Sequence, residues 1–135
     1  MLDPAAFPAV SVVTTSTHDI EPLALWWGTL DPRERATLLG ALGLPRLPDA
    51  GFGPAVRDAL LTQAYGSGSD LLLLPIQDVF GWPHRVNTPA TVGEHNWTWK
   101  LPLSVEALSA DAEALERADA LRALAISTGR VDDDA

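Results

Sequence analysis

The stretch Ser11-Val12-Val13-Thr14-Thr15-Ser16-Thr17-His18-Asp19 decides how this chain is expected to fold. Its first half is rich in β-branched residues, which favour a buried strand over an exposed helix, so we expect a strand at about 11–17. The polar pair His18-Asp19 follows, and an apolar segment at 22–28 then predicts a short helix. In α/β barrels, the side chains that follow a strand at its carboxyl end form the binding and catalytic sites. His18 and Asp19 are therefore candidate site residues.

A second strand is predicted at about 71–76. Its unbroken apolar run fits a strand that is buried on both faces. The long segment between the two strands contains helical patterns, which implies a parallel, right-handed crossover. The pair Gln77-Asp78 should then emerge at the same edge of the sheet as His18-Asp19. The fold class is α/β.

Helix signals fill much of the remaining chain, which we interpret as a single domain. Asp31-Pro32-Arg33-Glu34 has a capping residue, a first-turn proline and a capping-box glutamate, and predicts a helix to about Leu42. Pro54 opens another helix that continues through Tyr65. Further segments are predicted as follows: a loop at 44–53, an irregular loop at 80–102, a closing helix at about 104–127 whose two halves are capped by Ser104 or Ser109, and a solvated acidic tail at 131–135.

Composition limits the classes of function. The 135 residues carry a net charge of −9, which repels phosphate backbones, so nucleic acid is not an expected partner. The strongest apolar run, at 71–74, is far too short to span a bilayer, so no membrane partner is expected either. There is no cysteine and no positively charged region at the start, and we therefore expect a cytoplasmic protein. A neutral ligand such as a sugar is compatible with the charge.

Three motifs resemble one enzyme family. They are Thr15-Ser16-Thr17-His18-Asp19 with Trp26-Trp27 behind it, Leu74-Pro75-Ile76-Gln77-Asp78-Val79-Phe80-Gly81, and Arg85-Val86-Asn87-Thr88-Pro89-Ala90-Thr91 running on into Asn96-Trp97-Thr98-Trp99-Lys100-Leu101-Pro102. In this order they are similar to the late-barrel motifs of the 4-α-glucanotransferases, also called amylomaltases or disproportionating enzymes. Ala90 departs from the family, which usually has glycine there, and its methyl group is expected to restrict the backbone to ordinary φ values.

The resemblance implies a fold, a substrate and roles for individual residues. The fold would be the C-terminal segment of a TIM (β/α)8 barrel, and the substrates would be malto-oligosaccharides or other α-1,4-glucans. Asp19 would stabilise the transition state of retaining glycosyl transfer, and His18 would donate hydrogen bonds to the same sugar unit. Sugar binding would also involve Asn87, Gln77, Asp78 and Trp97. No cofactor is implied, because carboxylates and hydroxyl groups suffice for this chemistry.

The residues by themselves leave other roles open. Asp19 could cap the following helix, with His18 as an ordinary edge residue, and Asn87 could bond its own backbone in a turn. The tryptophans at 26, 27, 97 and 99 could pack in the core instead of stacking on sugar rings. A metal site could be drawn from His18, Asp19, Asp78, His84 and His95, but no recognised ligand spacing supports one, and we expect no metal.

The family places its nucleophile and its acid/base on earlier strands, and the residues before 11 contain no such pair. A complete barrel takes at least about 250 residues. We therefore expect a partial barrel that is inactive by itself and that pairs with the remainder of the barrel or self-associates through exposed strand edges. The alternatives are a non-catalytic glucan-binding or accessory fragment and a truncated product without activity.

Overall fold

A computed structural model describes residues 3–44 and 51–132 of the chain. Most of the predicted loop at 44–53 and the end of the acidic tail lie outside the described residues. Two short strands, β1 (Val12–Thr14) and β2 (Leu71–Leu73), pair in parallel, and Val13 lies opposite Leu72. The parallel pairing and the α/β class are therefore confirmed.

Both strands are shorter than predicted. Beyond Thr14 the chain turns, and the Thr14 hydroxyl donates a hydrogen bond to the backbone carbonyl of Ser16 at 2.7 Å. Pro75, which has no N–H for a sheet, caps a helix that begins at Ile76. The prediction that strand β2 reaches residue 76 was thus wrong.

Three helices connect the strands. They are α1 (Leu23–Thr29), α2 (Pro32–Ala41) and α3 (Pro54–Tyr65). The predicted capping box is present, because Asp31 accepts from the backbone N–H of Glu34 and the Glu34 carboxylate accepts from that of Asp31. Helix α1 begins one residue later than predicted, with Pro22 as its cap residue and no side-chain cap of its own.

Three more helices follow β2. They are α4 (Ile76–Phe80), α5 (Val105–Leu108) and α6 (Ala112–Ser127). The closing helix is thus divided, and Ser104 caps its first part as expected. Asp111, not Ser109, caps the second part by accepting from the backbone N–H of Ala114 at 2.9 Å.

The buried core lies among the first three helices. Trp27 is 1% exposed and packs with Leu38, Leu39 and Val56, while Trp26 is half-buried against the same cluster. The two neighbouring tryptophans therefore pack in and against the core. No helix in the described part of the chain is long and apolar enough to cross a membrane.

One face of the two-stranded sheet is uncovered. Val12, Leu71 and Leu73 are 53%, 58% and 62% exposed, whereas the alternate residues Val13 and Leu72 are half-buried. Because neighbouring side chains on a strand point to opposite faces, all three exposed side chains lie on the same face. An apolar face of this kind is usually covered by further structure.

Candidate functional site

The loop between β1 and α1 is held in shape by a buried carboxylate. Asp78 is 0% exposed and accepts hydrogen bonds from the hydroxyl groups of Thr15 and Ser16, at 2.5 Å and 2.6 Å. It also accepts the backbone N–H of Leu23 at 2.7 Å, and so satisfies a donor that the first turn of α1 would otherwise leave unpaired. Asp78 was predicted to contact substrate, but in this structure its carboxylate is occupied by protein donors and orients the loop.

His18 and Asp19 lie on the exposed part of this loop. The Nε2 atom of His18 is 3.1 Å from Oδ2 of Asp19, and both side chains are more than half exposed. The other oxygen, Oδ1, accepts a hydrogen bond from the side-chain amide of Asn87 at 3.0 Å. Asp19 therefore does not cap α1, and Asn87 does not bond its own backbone in a turn. The carboxylate is held from two sides and remains open to solvent.

Arg85 joins the two chain segments that meet at Asp19. Its Nη1 donates to the carboxylate of Glu21 at 2.6 Å, and its Nη2 donates to the backbone carbonyl of Asp19 at 3.4 Å. Its Nε donates to the backbone carbonyl of Asn87 at 3.1 Å. The planar, multidentate guanidinium suits this role better than a single ammonium group would.

Gln77 lies beside the same group of residues. A small cavity of about 80 Å³ is lined by side chains from the β1–α1 loop, from the start of α4 and from the segment after it: Ser16, Thr17, His18, Ile20, Pro22, Pro75, Gln77, His84, Arg85 and Val86. Gln77 is 6% exposed. The prediction that Gln77-Asp78 and His18-Asp19 meet at one edge of the sheet is therefore confirmed.

Trp97 covers one side of His18. The two rings are 5.1 Å apart, and 63% of Trp97 is exposed. Trp99 contacts different aromatic rings, those of Trp82 at 6.1 Å and His84 at 6.3 Å. The exposed indole next to the His18-Asp19 pair is a surface on which a sugar ring can stack.

The long irregular segment between α4 and α5, residues 82–103, is called the rim loop here. Ala90 within it adopts φ +59°, a left-handed conformation that normally favours glycine. The expectation that its methyl group would enforce an ordinary φ was wrong. The loop keeps a backbone shape suited to glycine although alanine occupies the position.

The arrangement offers hydrogen-bonding groups and an aromatic surface, but no cluster of metal ligands. Within residues 3–44 and 51–132, no group of three or more histidine, aspartate or glutamate side chains could hold a metal ion. Sequence reasoning named His18, Asp19, Gln77, Asn87 and Trp97, and the contacts above place all five around one edge of the sheet. For Arg85 the sequence left two roles equally open, binding a ligand or binding backbone carbonyls and carboxylates, and the contacts found in the structure are of the second kind.

The fold and site define an α/β protein with a polar site at the carboxyl ends of parallel strands. A family model described as 4-alpha-glucanotransferase matches residues 1–105. The chain belongs to the 4-alpha-glucanotransferase family, and the resemblance seen in its motifs is confirmed.

Curated relatives carry the same name. The chain is 32% identical over 123 residues to a chloroplastic/amyloplastic 4-alpha-glucanotransferase of Arabidopsis thaliana, a match covering 89% of this chain and 19% of that protein. It is 36% identical over 109 residues to a chloroplastic/amyloplastic 4-alpha-glucanotransferase of Oryza sativa, a match covering 78% of this chain and 17% of that protein. The chain thus spans about a fifth of the length of these relatives.

A solved structure has a similar fold. It is an amylomaltase from Streptococcus agalactiae in complex with acarbose, which aligns with a TM-score of 0.73 at 23% sequence identity. The alignment covers 96% of this chain and 24% of that one. At this level of identity, the likeness supports the fold.

Proposed function

We propose that this chain forms the part of a 4-α-glucanotransferase that holds and stabilises the reacting glucose unit. The complete enzyme would transfer α-1,4-glucan units between malto-oligosaccharides with retention of configuration. The observation that carries this proposal is the Asp19 carboxylate, which is fixed by His18 and Asn87 and still faces solvent. Family membership supplies the reaction class.

Asp19 is suited to bind the hydroxyl groups of a sugar that is becoming an oxocarbenium ion. Charge-assisted hydrogen bonds that strengthen in the transition state raise the rate, whereas equal binding of the ground state does not. His18 would donate to the same sugar unit, and Trp97 would stack on its apolar face. Asn87 and Arg85 would keep the two segments of the site together, while Gln77 would line its floor.

The nucleophile and the acid/base belong elsewhere in this proposal. Retaining transfer needs two carboxyl groups about 5–5.5 Å apart. Around Asp19, Glu21 is bound by Arg85 and Asp78 is buried among protein donors. We therefore assign both remaining catalytic carboxylates to the strands that would complete a TIM barrel around β1 and β2.

The uncovered apolar surfaces support such a completion. The exposed face of Val12, Leu71 and Leu73 lies on the strands themselves. An apolar groove of about 510 Å³ flanks β1 between α1 and α3, and another of about 470 Å³ lies among α4, α5 and α6. Helices and strands of the remaining barrel would fill these surfaces.

Complementation tests the proposal. The chain would be mixed with a plant relative that lacks the segment it matches, and glucose release from maltotriose would be measured. We expect activity from the mixture and none from either part, with Asp19→Ala lowering the rate by about 10²–10³. As the control, Asp70→Ala at the amino end of β2 should leave the rate unchanged.

A non-catalytic glucan-binding role is the second candidate, because Trp97 and the Asp19 pair are accessible without any further chain. Maltotriose would be titrated into the ¹⁵N-labelled chain while the Asn87 amide and Trp97 indole resonances are followed. Binding without complementation would favour the accessory role. No response from either experiment would overturn both candidates. Glucose release by the chain alone, lost on Asp19→Ala, would show that it is active by itself.

A further inference from the structure

Two residues of the rim loop reach the His18-Asp19 pair. Asn87 donates its amide to Asp19 at 3.0 Å, and the ring of Trp97 lies 5.1 Å from that of His18. They stand at opposite ends of an irregular segment that belongs to no helix or strand. Something must fix the distance between them if both are to contact the pair together.

Asn96 provides that link. Its side-chain oxygen accepts the backbone N–H of Thr88, the neighbour of Asn87, at 2.8 Å. Its side-chain amide donates to both the backbone carbonyl and the hydroxyl of Thr91, each at 3.0 Å. One side chain therefore ties the residue before Trp97 to the residue after Asn87.

Trp97 is held in an unfavourable backbone conformation at this junction. Its φ is +63°, which is uncommon for a bulky residue, and its backbone N–H donates to the carbonyl of Val86 at 2.8 Å. Such outliers persist where the surroundings over-determine them, and they concentrate at functional sites. The bonds of Asn96 on one side and of Val86 on the other keep the indole over His18.

We infer that Asn96 is a positioning residue that sets the spacing between Asn87 and Trp97 and so holds His18 and Asp19 in one arrangement. The sugar-binding consequence rests on the proposed function, whereas the geometric consequence does not. Asn96 itself would not contact the glucose unit. Its loss would release the indole from His18 and the amide from Asp19.

Asn96→Asp is the sharpest variant, because it has nearly the same shape. It keeps an oxygen for the Thr88 N–H but sets a second oxygen against the carbonyl of Thr91, so the bond donated to that carbonyl becomes a repulsion. The bond donated to the Thr91 hydroxyl is lost as well, because that hydroxyl already donates to the carbonyl of Thr88. Thr98→Val is the matched control, since it removes a side-chain bond of the same loop, from Thr98 to the carbonyl of Glu94, that does not reach Asn87. Thr91→Val is a milder second variant that removes one of the acceptors of Asn96, together with the bond from the Thr91 hydroxyl to the carbonyl of Thr88.

The readouts are the nuclear Overhauser contact between the Trp97 and His18 rings, the Asn87 amide shift and the affinity for maltotriose. For Asn96→Asp we expect loss of the ring contact and roughly tenfold weaker binding, with smaller changes for Thr91→Val. Thr98→Val should retain the contact and bind within about twofold of the wild type.

An unchanged ring contact and affinity in both Asn96→Asp and Thr91→Val would overturn the inference. If Thr98→Val lost the ring contact and the affinity to the same extent, the inference would also be overturned, because the effect would then come from a general loosening of the loop. If the wild-type chain shows no response to maltotriose, the accessory candidate fails, and complementation alone decides the proposed function. The ring contact and the Asn87 amide shift still decide the role of Asn96 in that case.

Discussion

The carboxylate of Asp78 accepts the backbone N–H of Leu23 at 2.7 Å, although 55 positions separate the two residues in the chain. This bond joins the helix after β2 to the first turn of the helix after β1. Because the same carboxylate binds Thr15 and Ser16, the loop that carries His18 and Asp19 is anchored at both ends. One buried side chain thus connects the stability of the fold with the geometry of the site.

Replacing Asp78 should therefore be costly. Asp78→Ala would leave three donors without their acceptor, and we expect the free energy of unfolding to fall by about 3 kcal/mol. Urea unfolding measures this change. Asp19→Ala removes an exposed carboxylate and should cost less than about 1 kcal/mol. Similar losses for the two variants would contradict the anchoring role of Asp78.

Asp58 predicts how stability depends on pH. Its Oδ1 lies 2.9 Å from Nε of Arg57 and 2.9 Å from Nη2 of the buried Arg117. Burial raises the pKa of Asp58, but the hydrogen bonds and charges of Arg57 and then of Arg117 outweigh it and bring the pKa below its ordinary value of 3.8. Since the folded pKa is lower than the unfolded one, the stabilisation is complete above the unfolded pKa and is lost as pH falls through the folded pKa.

The expected result is a decline in the unfolding free energy below about pH 4 that is smaller in Asp58→Asn. The variant should also be less stable near neutral pH, because Arg117 loses its carboxylate partner. Unfolding by urea across the acidic range measures both effects. Because the Asp58 side chain is 44% exposed, added salt should screen its attraction to the arginines and reduce the stability difference between the wild type and Asp58→Asn. If the unfolding free energies of the wild type and Asp58→Asn fell in parallel with pH, Asp58 would not be the source of this pH dependence.

The local features of this fold could be predicted from the sequence. Helix α3 has the predicted bounds Pro54–Tyr65, and the capping box of Asp31 and Glu34 is present, because both depend on residues close together in the chain. The parallel pairing was predicted from the helical patterns that lie between two apolar runs. A parallel pair places Gln77, which follows β2, at the same edge of the sheet as His18, which follows β1.

The contacts that complete the site could not be predicted in the same way. The residues alone left Arg85 open between binding a ligand and binding carbonyls or carboxylates, and they did not indicate a role for Asn96. Both side chains bond mainly to backbone groups, and such bonds leave no periodic signature in the sequence. Asp78 was expected at a strand end and to contact substrate. It lies instead in a helix that Pro75 starts, where it is enclosed by donors from the other strand's loop. A long-range partner, not local propensity, decides the role of that carboxylate.

Ala90 offers a test of backbone strain in the rim loop. Its φ of +59° costs an alanine about 1–2 kcal/mol relative to glycine, partly offset by the greater freedom of glycine in the unfolded chain. We expect Ala90→Gly to raise the free energy of unfolding by about 0.5 kcal/mol. Ala123→Gly, at an exposed position inside α6, should lower it by about 1 kcal/mol. Urea unfolding measures both changes. If the free energy of unfolding falls in both variants, the backbone at Ala90 is not strained.

The exposed face of β1 and β2 predicts association. Leu71 and Leu73 are more than half exposed, and each strand has a free edge within the described residues, where N–H and C=O groups are available for pairing. We expect the isolated chain to self-associate as its concentration rises, and the double variant Leu71→Lys, Leu73→Lys to shift the equilibrium to monomer through like-charge repulsion. Val92→Lys, at a fully exposed position in the rim loop, is the control and should associate like the wild type. Sedimentation velocity over a range of concentrations measures this. A wild-type chain that stays monomeric and unfolds cooperatively on heating would show that the uncovered strands need no partner.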